Sequence, residues 1–81
     1  MPDSEIEVTV KLFAYYRDGR FDSLISKYSA DTRISDIFRI HKIDLEKDPL
    51  GVLLLNGCHA EPQDTLHDGD VVSIFPMLGG G

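Results

Sequence analysis

Hydrophobic and polar residues alternate near the start of the chain, and only Phe13 interrupts the polar positions over residues 5–14. Over residues 5–14 the apolar side chains fall on every second position: Ile6, Val8, Val10, Leu12 and Ala14. A period of two predicts a strand with one buried face. Asp18-Gly19 then supplies residue types that tolerate the backbone of a tight hairpin turn. We expect the apolar segment 21–29 to return as the second strand.

The period changes in the next segment. Four apolar-face residues follow the helical spacing i, i+3, i+4 and i+7: Ile34, Ile37, Phe38 and His41. This spacing predicts a helix over residues 32–41, packed on one face. Thr32 or Ser35 is expected to cap its start, and Asp36 suits the first turn, near the positive end of the helix dipole.

The rest of the chain predicts short strands. The continuous apolar run 50–55 is typical of a central strand buried on both faces, and Asn56-Gly57 is a strong hairpin signal before a return strand at 58–60. The last strand, 71–75, is ended by Pro76. A right-handed crossover through the helix would place either strand 50–55 or the last strand parallel to the first. The order predicts an α+β, β-grasp (ubiquitin-like) fold: a mixed sheet with one main helix on one face.

Glycine fills the last three positions of the sequence, Gly79, Gly80 and Gly81. Without a Cβ, this segment is as narrow as a polypeptide can be. If residues 77–81 are extended, they reach about 17 Å beyond a single domain formed by residues 1–76. We therefore expect a flexible C-terminal tail whose carboxylate, on Gly81, enters a narrow active site of another protein.

Apolar residues precede this tail. Because Pro76 ends the strand, Met77 and Leu78 are expected to lie exposed at its root. Exposed apolar side chains indicate a docking surface, and the flexible Met side chain suits more than one partner. The predicted docking residues are Phe75, Pro76, Met77 and Leu78.

The length and net charge of the chain argue against several classes of function. A chain of 81 residues makes one small domain with little room for a deep catalytic cleft. The formal net charge of −6 argues against nucleic acid and anionic membranes as partners. It is consistent with a basic protein partner, and equally with an acidic surface that only keeps molecules apart.

The cysteine and histidine content and the N-terminal residues argue against a disulfide-stabilised, metal-binding, membrane-spanning or secreted protein. The lone cysteine, Cys58, cannot form an internal disulfide, and the three histidines lack zinc-like spacing, so we predict no metal site. No apolar run approaches the length of a membrane span, and the acidic first residues do not resemble a signal peptide. A cytoplasmic location is expected.

Taken in order, these motifs resemble the ThiS/MoaD-type ubiquitin-like sulfur carriers. The similar segments are Lys11-Leu12-Phe13-Ala14, Ile34-Ser35-Asp36-Ile37, Val52-Leu53-Leu54-Leu55-Asn56-Gly57, Leu66-His67-Asp68-Gly69-Asp70-Val71-Val72, and Ile74-Phe75-Pro76 before the glycines. The third glycine departs from the usual Gly-Gly ending of the family. Gly81 remains the expected carrier residue if partner enzymes recognise the terminus.

The resemblance implies a carrier cycle in which this protein is not an enzyme and binds no cofactor. An E1-like adenylyltransferase of the MoeB/ThiF type uses ATP to adenylate the Gly81 carboxylate. A sulfur donor such as a cysteine desulfurase then supplies the sulfur of a thiocarboxylate. The acceptor is either a MoaE-type large subunit of molybdopterin synthase or a thiazole synthase.

Chain length and the Ile74-Phe75-Pro76 approach to the tail favour the MoaD branch, hence synthesis of the molybdenum or tungsten cofactor. A ThiS-like role in thiamine thiazole synthesis is the nearest alternative. Two other classes stay open: a ubiquitin-like modifier joined through Gly81 to lysines, and a β-grasp interaction module whose tail has no role.

Overall fold

Five strands form one sheet in the computed structural model, which describes residues 5–78. The strand order is β2-β1-β5-β3-β4. The elements along the chain are β1 (Glu5–Leu12), a 3₁₀ helix (Ala14–Arg17), β2 (Ser23–Ser29), α1 (Ile34–Ile40), β3 (Leu50–Leu55), β4 (Cys58–His59) and β5 (Val71–Pro76).

Strand pairing confirms the predicted β-grasp fold. β1 pairs antiparallel with β2 and parallel with β5, while β3 pairs antiparallel with both β5 and β4. Of the two parallel partners that the sequence left open for the first strand, the structure has the last strand, β5. The parallel pair therefore lies at the centre of a mixed sheet.

One face of the sheet and the apolar face of α1 enclose the core. The alternating residues of β1 are buried as predicted, and Val8 and Val10 are fully inaccessible to solvent. The helix contributes Ile34, Ile37 and Phe38 to the same cluster. Burial of this apolar surface is the main stabilising term of such a small domain.

The start of α1 differs from the prediction. The helix covers Ile34–Ile40, and its N-terminal capping residue is Arg33, whose backbone N–H donates to the Asp36 carboxylate at 2.9 Å. This hydrogen bond, more than any other cause, lowers the pKa of Asp36. The proposed caps Thr32 and Ser35 were wrong, because the Thr32 hydroxyl lies 3.3 Å from the Ser29 hydroxyl instead.

The connection between β1 and β2 is wider than the predicted tight hairpin. β1 ends at Leu12, and Ala14, expected to extend its buried face, begins the 3₁₀ helix with a positive φ of 52°. Gly19 has a φ of 71°, as its turn position suggested, and β2 begins at Ser23 rather than at residue 21. A helical turn thus separates the strands.

β3 corrects another prediction. Leu53 is only 4% exposed, but Val52 on the other face is 40% exposed, so this strand is not buried on both faces. The predicted turn at Asn56-Gly57 is confirmed, with φ values of 53° and 85°. Asn56 also accepts from the N–H of Val71 at 2.8 Å, which ties the turn to β5.

Within residues 5–78, no helix has both the length and the apolar character needed to cross a membrane.

Candidate functional site

The last described residues, Met77 and Leu78, directly follow the end of β5 at Pro76. Pro76 is buried and paired with Leu50 of β3, while Met77 and Leu78 are 54% and 63% exposed. The expected exposure of these two apolar residues is therefore present in the structure. Gly79, Gly80 and Gly81 lie outside the described residues, and their carrier role stays a prediction.

A shallow apolar groove adjoins this end of β5. Its volume is about 490 Å³. The predicted docking residues line it together with three residues of β3; the full lining is Gly51, Val52, Leu54, Phe75, Pro76, Met77 and Leu78. We call these seven residues the tail-root groove. None of their side chains is ionisable, so the groove is suited to an apolar partner surface.

Sequence reasoning missed the β3 side of the groove. Val52 and Leu54 were assigned to a buried interior because a continuous apolar run does not reveal whether its second face is covered. In the structure β3 lies next to the edge strand β4. Of Val52, Leu53 and Leu54, only Leu53 is buried in the core. Val52, on the outer face and opposite Phe75 of β5, is therefore left 40% exposed.

Phe13 packs against Phe75, one of the residues that line the tail-root groove. Its ring stacks on Phe75 with centroids 4.0 Å apart and an interplanar angle of 9°. The backbone N–H of Phe13 also donates to the carbonyl of Ile74 at 3.2 Å. The available signal in the sequence was that Phe13 interrupts the polar positions of the first strand. An apolar residue out of phase on a half-buried strand marks the outer face.

Met77 is anchored through its backbone. Its N–H donates to the carbonyl of Pro49 at 2.9 Å, and its own carbonyl accepts from the Tyr15 hydroxyl at 3.1 Å. Two separate segments, the loop before β3 and the 3₁₀ helix, thus hold the residue from which the tail departs. Sequence reasoning missed both partners.

Gly51 lets β3 come unusually close to the tail root. A Cβ on Gly51 would lie 2.5 Å from the carbonyl oxygen of Pro76 and 2.9 Å from the nitrogen of Met77. The pairing of β3 with β5 also shifts register between Leu50 and Val52. Only glycine permits this approach without moving the backbone.

The neighbouring Tyr16 is held in its neutral form. Its hydroxyl donates to the carbonyl of Asp48 at 2.7 Å. Burial, helped by the adjacent Tyr15 and Asp48, raises the pKa of Tyr16 to about 12. The hydroxyl therefore remains a donor throughout the neutral range and fixes the loop that carries Pro49.

The remaining chemistry-bearing residues do not converge on this site. Cys58 is exposed on β4, and His41 at the end of α1 accepts from or donates to the Tyr28 hydroxyl at 2.9 Å. Burial lowers the pKa of His41, and Arg20 adds to the shift. Among residues 5–78, no group of three or more His, Cys, Asp or Glu side chains is arranged to hold a metal ion.

Comparison with protein families settles the relationship. The model of the ThiS family matches residues 10–81, which is most of the chain. The chain belongs to the ThiS family. Members of this family are small carrier proteins rather than catalysts. Comparison with curated protein sequences gives no match.

Solved structures share the family's fold. A putative molybdopterin converting factor subunit 1 from Pyrococcus furiosus is 25% identical, with a TM-score of 0.72 over 90% of this chain and 99% of that one. SAMP1 from Haloferax volcanii is 23% identical, with a TM-score of 0.67 over 93% and 99%.

A third structure is a complex of subunits 1 and 2 of molybdopterin-converting factor from Helicobacter pylori. The similar chain is 21% identical, with a TM-score of 0.63 over 94% of this chain and 100% of that one. Together with the family match, these structures place the chain among the ThiS/MoaD-like proteins with a ubiquitin-like fold.

Proposed function

We propose that this protein carries sulfur as a thiocarboxylate on Gly81 and donates it in molybdopterin synthesis. The observation that supports the proposal best is the tail-root groove, an uncharged apolar surface beside the residue from which the glycine tail departs. A carrier of this kind needs a docking surface and a narrow reactive thread, and the chain has both next to each other.

The proposed chemistry explains why glycine precedes the reactive carbon. A carboxylate is a poor electrophile, so its oxygen first attacks the α-phosphorus of ATP and releases pyrophosphate. Free sulfide displaces AMP from the acyl-adenylate and gives the thiocarboxylate directly. The persulfide of a donor protein displaces AMP to form an acyl disulfide, and a thiol then reduces its S–S bond, releasing the thiocarboxylate and leaving the donor cysteine and the thiol as a disulfide. An E1-like adenylyltransferase and a donor such as a cysteine desulfurase are the proposed partners for these two steps. Gly79 and Gly80 add no side chain that would obstruct entry into their active sites.

Docking in this proposal is shared between successive partners. The activating enzyme and the sulfur acceptor both bind the tail-root groove, and each receives the tail in its own active site. Met77 and Leu78 are exposed and conformationally adaptable, which suits two different partner surfaces. One groove also ensures that activation and delivery cannot occur on the same molecule at once.

Similarity to subunit 1 of molybdopterin converting factor favours a MoaE-type subunit as the acceptor. The Helicobacter pylori protein of this fold is found in complex with subunit 2. We therefore propose that this chain acts as the small subunit of a molybdopterin synthase. A thiazole synthase is the alternative acceptor, consistent with the family to which the chain belongs.

A ubiquitin-like modifier is the second candidate function, since the chain shares its fold with SAMP1, a small archaeal modifier protein. Carrier and modifier share the adenylation step and differ in the acyl acceptor, which is sulfur in one case and a lysine amine in the other. The third class, an interaction module with an inactive tail, differs from both because deletion of Gly80 and Gly81 would then have no phenotype.

The mass of the C-terminal peptide separates these functions. Protein is purified from its own host without reductants or strong acid. Replacement of oxygen by sulfur adds about 16 Da, close to the mass added by methionine oxidation, so the shift has to be localised. A shift on Gly81 that reacts with a thiol alkylator, and so gains the mass of the alkyl group, supports the carrier. Lysine peptides bearing a glycine remnant, with Gly81 otherwise unmodified, would support the modifier instead.

A negative result is resolved by reconstitution. Incubation with the E1-like enzyme of the same host, ATP and a sulfide source recharges a carrier that has already discharged its sulfur. If Gly81 still gains neither adenylate nor sulfur, the carrier proposal is wrong. Transfer from charged protein to the MoaE-type subunit, compared with transfer to thiazole synthase, then identifies the branch.

A further inference from the structure

Two adjacent tyrosines in the 3₁₀ helix point in different directions. Tyr16 is 1% exposed and its hydroxyl bonds to the carbonyl of Asp48 at 2.7 Å. Tyr15 is 37% exposed and its hydroxyl bonds to the carbonyl of Met77 at 3.1 Å. The first of these bonds supports a loop of the domain, whereas the second reaches the root of the tail.

The backbone places Tyr15 for this contact. Ala14 has a φ of 52°, a conformation that L-residues other than asparagine and aspartate seldom adopt. It turns the chain sharply at the end of β1, directly after Phe13, whose ring stacks on Phe75. The 3₁₀ helix is therefore held against the end of β5, and the Tyr15 hydroxyl lies beside Met77.

Both backbone polar groups of Met77 are consequently hydrogen-bonded. Its N–H is bound to the carbonyl of Pro49 and its carbonyl to Tyr15. The N–H bond resembles a continued strand ladder, but it leaves rotation about the Met77 Cα–C bond free. The hydrogen bond from Tyr15 favours one rotamer of that Cα–C bond over the others. The direction in which Leu78 leaves the domain is then set relative to the tail-root groove.

We propose that Tyr15 is a positioning residue that orients the C-terminal tail before a partner enzyme binds. The inference rests on the proposed carrier function, because orientation matters only if the tail is delivered to an active site. A tail that is oriented in advance loses less conformational entropy on binding than one that samples all directions. Removing the hydroxyl should therefore weaken productive binding without altering the chemistry at Gly81.

The pair Tyr15→Phe and Tyr28→Phe tests this inference in the isolated protein. Each variant loses one hydroxyl, but the Tyr28 hydroxyl lies 2.9 Å from His41 Nε2 and Tyr28 does not line the tail-root groove. In ¹⁵N relaxation measurements, Tyr15→Phe should lower the heteronuclear NOE of the Leu78 amide while the amides of β5 stay unchanged. Tyr28→Phe should lower the melting temperature but leave the order of Leu78 as in the wild type. Equal order at Leu78 in the wild type and Tyr15→Phe would overturn the inference.

Kinetics of the activating enzyme test whether the orientation is used. ATP–pyrophosphate exchange by the host's E1-like enzyme is measured against carrier concentration. Tyr15→Phe should raise KM by about three- to tenfold, as expected for one exposed hydrogen bond, with kcat nearly unchanged. A role in stability alone would leave KM at its wild-type value once the protein is folded. Tyr28→Phe, assayed well below its melting temperature, should have the wild-type KM.

The two proposals fail in different ways. If the wild-type protein supports no exchange with any E1-like enzyme of its host, the carrier function is wrong, whatever the relaxation data show. If the wild type is active and Tyr15→Phe has the same KM, the carrier function stands and the positioning role of Tyr15 is wrong.

Discussion

Neighbouring residues of β5 lie in opposite environments. Ile74 is completely buried in the core, whereas Phe75 faces the tail-root groove and is covered mainly by the ring of Phe13. β3 repeats the contrast, with Leu53 buried and Val52 exposed. One face of the sheet is apolar because it packs against the rest of the domain. The other face is polar along β1, where it carries Glu5, Glu7, Thr9 and Lys11, and apolar only at the tail-root groove. An exposed apolar patch of this kind is typical of a docking surface.

This comparison predicts that inner-face changes affect stability and outer-face changes affect partner binding. Ile74→Ala should have the largest effect, lowering the free energy of unfolding by about 2–5 kcal/mol, since it leaves a cavity in a close-packed core. Urea denaturation monitored by circular dichroism measures the change. A loss below about 1 kcal/mol would mean that the inner face is not the main core.

Gly51→Ala should follow, with a loss of about 1–3 kcal/mol, because the added Cβ would lie 2.5 Å from the Pro76 carbonyl oxygen. Either β3 or the start of the tail has to move. Amide chemical shifts of Met77 and Leu78 should change more than those of β1. Val52→Ala, in the same strand, is the control and should leave those amides close to their wild-type shifts. Wild-type stability of Gly51→Ala would contradict the close approach.

Matched threonine substitutions compare the two faces directly. Val72→Thr places a hydroxyl in the core, where Val72 is fully buried, and should cost about 1–3 kcal/mol. Val52→Thr makes the same change on the outer face and should alter stability by less than about 0.5 kcal/mol. Its effect should appear instead as weaker binding to the E1-like enzyme by titration calorimetry. Similar stability losses in both variants would remove the distinction between the faces.

High pH should weaken the support of the tail root through Tyr16. The pKa of Tyr16 is raised to about 12 in the folded protein, against an ordinary value of 10.0. Because the folded pKa is the higher one, the stabilisation is complete below about pH 10 and is lost as pH rises towards 12. The loss attributable to Tyr16 should be about 2–3 kcal/mol.

Urea midpoints of the wild type and Tyr16→Phe between pH 9 and 12 measure this dependence. Tyr28, whose pKa burial also raises, is present in both proteins and contributes equally to both curves. The wild-type curve should fall more steeply than that of the variant. Parallel curves would show that the Tyr16 hydroxyl is not protected by the fold.

Gly80→Ala should have the smallest effect on stability, essentially none, because a glycine has no side chain whose packing could be lost. Sulfur transfer should nevertheless slow, since a Cβ enters the narrowest part of the partner's channel. Single-turnover transfer from charged protein measures the rate, and Ser4→Ala at the other end of the chain is the control. Equal transfer rates for Gly80→Ala and the wild type would contradict the need for a narrow tail.

Much of the fold could be predicted from local patterns. Alternation in β1, helical spacing in α1 and the Asn56-Gly57 turn each depend on interactions between residues that are close in sequence. The family resemblance and the exposed Met77 and Leu78 could also be inferred. The helix cap was missed because Asp36 accepts from the backbone of Arg33, whose own side chain gives no capping signal.

The sequence by itself determined the order of the strands and of α1, the buried faces of β1 and α1, and the glycine tail. Only the tertiary structure decided that β5 lies beside β1, that the outer face of β3 is uncovered, and that Gly51 lies against Pro76. It also decided that Tyr15 binds Met77 across 62 positions of sequence. The spacing of apolar residues predicts which strand or helix a segment forms, because it depends on residues close in sequence. It does not predict contacts between distant segments, since these form only when the sheet brings the segments together.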